Sequence, residues 1–131
     1  MGRGSDLSDS TVAQLLIPVE DLDRAIAFYR DTLGLRFLFS APPRMSFFQA
    51  GNVRLLVGVP EAARPRQRGS MVYFQVADIH AVWRTLGERG VGFAASPQVV
   101  HRTSTTDLWL TEFRDPDGNE LALMSETPTQ A

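Results

Sequence analysis

The sequence predicts an α+β fold: two tandem βαβββ modules forming a curved mixed sheet with a concave ligand cleft. Three observations predict it. The segment Gln14–Tyr29 is echoed by Met71–Leu86, with Val19 over Val76, Asp21 over Asp78, Leu22 over Ile79 and Ala25 over Val82. Each copy reads as an apolar strand, an acidic helix start and an amphipathic helix. A repeat of this kind implies two similar modules facing each other across a pseudo-symmetric cleft. After each copy come short apolar runs broken by Gly and Pro, the mark of hairpins.

Residues 1–10 are polar and rich in Gly, Ser and Asp, and read as a mobile tail. Thr11–Val19 is a strand, since Leu15, Ile17 and Val19 alternate with Gln14, Leu16 and Pro18. Asp21 caps the helix that follows, although Arg24 rather than Glu stands three residues on. Leu22, Ala25, Ile26, Tyr29 and Leu33 keep the helical period until Gly34 stops it. Strands follow at Leu35–Ser40, Met45–Ala50 and Val53–Val59, with turns at Pro42-Pro43 and Gly51-Asn52. Pro60–Gly69 is polar, Pro-containing and basic, and reads as the linker. The order then repeats: strand Ser70–Ala77, helix Asp78–Arg89, strand Val91–Ala95. Leu108–Arg114 and Glu120–Glu126 form a hairpin around Asp115-Pro116-Asp117-Gly118-Asn119, whose residue types supply turn dihedrals. The expected modules are 11–68 and 69–126, with a second tail at 127–131.

Composition removes several function classes. The apolar fraction of 44 % suits a globular interior. No run of about 18 apolar residues exists to span a membrane, and no signal segment opens the chain. A net charge of −2 without a basic, aromatic-interleaved stripe gives no sign of nucleic-acid binding. With no Cys there is no disulfide, thiolate metal site or cysteine nucleophile. With no Lys there is no Schiff-base lysine. A cytoplasmic setting is the default expectation.

The stretches Ile17–Phe37, Val72–Ile79 and Phe113–Met124, in this order, resemble the vicinal oxygen chelate superfamily: glyoxalase I, bleomycin-resistance proteins, extradiol dioxygenases and relatives. The resemblance runs from about Val12 to Glu126. In metal-using members, four cleft-facing positions bind one divalent ion through His, Gln or Glu. By this resemblance the four fall on Gln14, Leu56, Met71 and Ala122. Only the first keeps a ligand-capable group, and a catalytic Zn, Ni, Mn or Fe site needs about three N or O donors. The resemblance therefore implies a member without the usual metal, and no cofactor. Glu112 would stand beside Ala122 if Arg114 pairs with Glu120, which makes two donors at most. Members commonly form dimers with clefts shared between chains, which implies a homodimer here.

Period-2 alternation sorts the strands. Leu15, Ile17, Val19, Val53, Leu55, Val57, Val72, Phe74, Val76, Leu121 and Leu123 face the helices. The opposite phase carries Gln14, Leu16, Arg54, Leu56, Met71, Tyr73, Gln75, Glu120, Ala122 and Met124, and this phase is the cleft. Aromatics on flanking strands would close it: Phe37 or Phe39, Phe47 or Phe48, and Trp109, with phases that the pattern leaves open. Phe39, Phe48 and Trp109 are assigned to the cleft. Such aromatics are equally at home in an ordinary core. His101 lies in a polar stretch and is set at the cleft margin, although a lone His is commonly a surface residue. His80 lies near the second helix start and receives no role. The basic run Arg64–Arg68 reads as a solvated linker.

Met and aromatic side chains suit flat apolar ligands. The expectation is a metal-independent protein that sequesters a hydrophobic or aromatic small molecule such as an antibiotic, as the family's drug-binding resistance proteins do. The alternative is a glyoxalase-like lyase, isomerase or dioxygenase with an unusual or metal-free site using Glu112, His101 or Tyr73.

Overall fold

The structure is a computed structural model that describes residues 5–41, 43–60 and 70–129. The linker at 61–69, with its basic run, lies outside the described residues, as do 1–4, Pro42 and 130–131. Two four-stranded mixed sheets carry the fold. The first contains β1 (Gln14–Pro18), β2 (Arg36–Ala41), β3 (Met45–Ala50) and β4 (Val53–Gly58) in the order β1-β4-β3-β2. The second contains β5 (Val72–Gln75), β6 (Gln98–Arg102), β7 (Thr106–Arg114) and β8 (Glu120–Pro128) in the order β5-β8-β7-β6. In each sheet the first and last strands run parallel and the others antiparallel. A helix crosses over after each first strand: α1 (Leu22–Ile26) and α2 (Ile79–Glu88).

The echoed aspartates do the same work in both modules. Asp21 and Asp78 are extended N-caps whose side chains accept from the N–H groups of Arg24 and Ala81, each at 3.0 Å. Each satisfies a donor that the first helical turn leaves free. The helices then diverge. α1 widens into a π-helical stretch, Ala27–Thr32, closed by the Leu33 N–H donating to the Phe28 carbonyl at 2.9 Å. This stretch carries Tyr29 fully inside. Gly34, at φ 76°, ends it in a conformation that side-chain-bearing residues avoid.

The helix-side residues of both sheets merge into one core, from Ile17, Phe48, Leu55 and Val57 to Phe113, Leu121 and Leu123. The opposite faces are open in part, with Leu16 54 %, Phe39 48 % and Tyr73 49 % exposed, while Phe47 and Ala122 on them are buried. No helix among the described residues is long and apolar enough to cross a membrane.

One expected strand is corrected. Val91–Ala95 forms no ladder strand and contributes an isolated bridge from Phe93 to Phe113. The ladder strand is β6, in the stretch read as polar connection. Gly90, at φ 95°, and Gly92 flank Val91, so the chain there is built for turning rather than for pairing.

The DPDGN turn does more than reverse the chain. Asp115 accepts four hydrogen bonds: from the Tyr29 hydroxyl (2.7 Å), from Asn119 Nδ2 (2.8 Å), and from the N–H groups of Asp117 and Asn119 (2.9 Å each). Asn119 Nδ2 also donates to the Pro18 carbonyl at 2.7 Å. Asp117 Oδ1 accepts from the Glu20 N–H at 3.0 Å and from Arg24 at 2.9 Å. The turn of one module thereby clamps the strand end and helix of the other. Burial, with Asp115 beside it, pushes the Tyr29 phenol far above its ordinary range, so it remains a donor.

Candidate functional site

Ladder register decides which side chains share the open faces, because opposed residues point to the same side. On the first sheet, Leu16, Leu56, Phe47 and Phe39 form one row across β1, β4, β3 and β2. Beside it runs a polar row: Gln14, Arg54, Gln49 and Arg36. Phe39 stacks on Phe47 at 4.6 Å, and the Arg54 guanidinium lies 5.4 Å from the Phe47 ring centre. On the second sheet, Tyr73, Ala122 and Glu112 form one row, and Gln75, Met124, Leu110 and Gln98 the next. Glu112 stands opposite Ala122 and Arg114 opposite Glu120. Met71 lies one residue before β5 and is half-buried.

Two assigned aromatics leave the site. Phe48 is fully buried on the helix side, 5.4 Å from the ring centre of Phe37 and 5.9 Å from that of Tyr29. Its neighbour Phe47 takes the cleft place instead. A bulge between Phe37 and Phe39 explains the rest: these residues, two apart, fall on opposite faces. Trp109 also turns inward. It packs against the core, donates from Nε1 to Thr127 Oγ1 at 3.0 Å and meets the His80 ring edge-on at 4.9 Å. His80 therefore sits at the helix–sheet seam. His101 pairs with Leu108 and is exposed. It is four strand positions from the Glu112 register, roughly 13 Å along the sheet. The structure does not bring His101 and Glu112 together as an acid–base pair.

The residues at the four family metal positions do not fit a metal ion. The Gln14 amide oxygen accepts from Arg54 Nε at 2.7 Å, so the one donor atom of the set is engaged by a cationic side chain. Leu56 lies among Leu16 and Phe47. Ala122 is fully buried and carries no donor. No group of three or more His, Cys, Asp or Glu residues that could hold a metal exists among the described residues.

Leu110 and Leu108 on the open face escape the sequence reading, which weighs Phe47 for the cleft but passes over it for Phe48. The buried-face neighbours of the two leucines hid them. Asp107 and Thr111 are polar residues inside β7, satisfied by Arg102 at 2.7 and 3.0 Å and by the Ala95 carbonyl at 2.6 Å. The Arg102 hydrogen bond holds the Asp107 carboxyl below its ordinary range.

The family model described as Glyoxalase/Bleomycin resistance protein/Dioxygenase superfamily matches residues 11–123. No curated protein sequence matches the chain. A superfamily member from Sphaerobacter thermophilus is 27 % identical, with a TM-score of 0.73, over 88 % of this chain and 97 % of that one. A glyoxalase/bleomycin resistance protein from a Streptomyces species is 26 % identical, with a TM-score of 0.65, over 86 % and 98 %. A lactoylglutathione lyase from Agrobacterium tumefaciens is 21 % identical, with a TM-score of 0.71, over 88 % and 93 %. This last likeness is one of fold.

Proposed function

We propose that this chain, which belongs to the Glyoxalase/Bleomycin resistance protein/Dioxygenase superfamily, binds an apolar, aromatic small molecule at its open sheet faces and leaves it chemically unchanged. The observation that carries this reading is the apolar row Leu16, Leu56, Phe47 and Phe39, in which Leu56 stands at one of the positions where the superfamily's metal-using members would need a donor. Apolar and aromatic surfaces with a few polar groups are how small-molecule sites are built. Gln14, Tyr73 and Glu112 are the polar handles that orient the ligand. Sequestration of an antibiotic would fit such a site.

The reading includes a homodimer. Each open face is too exposed to enclose a ligand alone, and the two faces differ in charge: Arg36 and Arg54 on the first, Glu112, Glu120 and Glu126 against Arg114 on the second. Face one of one copy against face two of another would close a cleft between them. Light scattering is expected to give twice the chain mass. Arg54→Glu should shift that mass toward the monomer, and a monomeric parent protein would remove this part of the reading.

The central test combines binding with ligand recovery. Leu56→Asp is expected to keep the fold, because Leu56 lies outside the helix–sheet core. It should weaken binding of a polycyclic aromatic probe about 100-fold or more, since an unpaired charge in an apolar site costs several kcal/mol. Mass spectrometry should return the probe unaltered, and elemental analysis should find no stoichiometric Zn, Ni, Mn or Fe. Product formed at catalytic turnover, or one metal per chain lost on Gln14→Ala, would move the weight to an enzyme.

A further inference from the structure

A cavity of about 550 Å³ lies chiefly on the helix side, between the modules. Tyr73, Gln75, Gln49 and Arg36 of the open-face rows are at its margin, and the apolar row Leu16, Leu56, Phe47 and Phe39 lies outside it. Its floor is core: Leu55 from the first sheet, and Leu86, Phe113 and Leu123 from the second module, are all buried. Val72, Phe74 and Val82 wall it and remain half-exposed, whereas Ile17 and Val19, the first-module counterparts of Phe74 and Val76, are buried. The second module's core is thus open where the first module's is closed.

The cavity meets β5 at its edge, because both phases of Val72–Val76 line it. β5 pairs with β8 on one side and is an edge strand on the other. The Val76 N–H donates to the Met124 carbonyl at 2.9 Å. In a parallel pair alternate residues bond the same neighbour, so the main-chain groups of Tyr73 and Gln75 turn to the open edge. Arg36 is exposed, also lines the cavity, and has no acidic partner among the described residues. Among the described residues, an apolar floor is therefore combined with main-chain groups at an unpaired strand edge and with a guanidinium that has no acidic partner at the margin.

We propose that this cavity is a second ligand site, meeting the open-face site only at Tyr73, and that it takes a small amphipathic carboxylate. The apolar chain or ring enters toward Leu55 and Leu123, and the carboxylate stays at the margin on Arg36 and the β5 edge. The volume lies within the roughly 300–1,000 Å³ typical of small-molecule pockets. Guanidinium and main-chain N–H groups are the donors that carboxylates favour.

Decanoate and its neutral counterpart decanol are the probes, read by calorimetry and by methyl NMR shifts on the full chain. Decanoate should saturate and shift the methyls of Leu55, Leu86, Leu123 and Val72. Decanol should bind about tenfold more weakly, and Arg36→Gln should remove most of that difference, as expected for a charge-assisted bond. Val82→Trp should fill the cavity and abolish binding of both. Leu56→Asp should leave decanoate binding intact, which separates failure here from failure of the open-face reading. Equal affinity for both probes, shifts confined to Leu16, Leu56 and Leu110, or shifts of the Leu55, Leu86 and Leu123 methyls that follow protein concentration without ligand would each overturn the proposal. The last would mean that a second copy fills the cavity.

Discussion

Asp115→Ala is expected to lower the unfolding free energy by about 3–5 kcal/mol, the usual cost of breaking a buried charged network from one side. Asp115 is 5 % exposed and accepts from one hydroxyl, one side-chain amide and two main-chain N–H groups. Alanine would strand all four donors, each worth about 1–3 kcal/mol when buried without a partner. The total falls below their sum because the turn relaxes and water enters. Tyr29→Phe removes one donor and keeps the ring, so about 1–2 kcal/mol is expected. Because the network ties the β7–β8 turn to β1 and the π-helical stretch, both losses should appear as one cooperative shift in urea unfolding. An Asp115→Ala loss under 1 kcal/mol would show that the turn does not clamp the modules.

Phe48→Ala is expected to cost about 3–5 kcal/mol, and Phe39→Ala about 1 kcal/mol or less. Phe48 is fully buried against Phe37 and Tyr29, so alanine leaves a cavity in the core. Phe39 is 48 % exposed and loses chiefly its stacking on Phe47. The ligand effects should run the other way. Phe39→Ala should weaken aromatic probe binding, while Phe48→Ala, assayed where it is still folded, should not. Comparable stability costs for the two would refute the register of β2 on β3.

Those two phenylalanines show where sequence reading stops. Period-2 alternation sorts a strand only while the strand is regular. β2 carries a bulge between Phe37 and Phe39, and β6 carries one between Val99 and His101. Each bulge reverses the phase partway along, so no pattern over the whole strand is correct. β7 is regular but inverted in polarity. It buries Asp107 and Thr111 and leaves Leu108 and Leu110 on the open face, so hydrophobicity pointed the wrong way for Trp109. β1, β4, β5 and β8 have neither defect, and alternation put Leu16 with Leu56 on one face, and Tyr73 with Ala122 on one face, as the register of each sheet does.

The sequence by itself determined the family, the two strand–helix starts and their aspartate caps, and the missing donors at Leu56, Met71 and Ala122. All of these are local: a cap reaches three residues, a helical period seven, and a side chain without a donor atom lacks it in any fold. Tertiary structure alone decided the rest. It placed Arg54 on the Gln14 amide, 40 positions away in the chain, and tied Tyr29 to Asp115 across 86. It also decided which aromatics line the open faces and opened the cavity between the modules. Those features depend on ladder register and on how the modules pack. Both are set by contacts between distant residues, which no local pattern encodes.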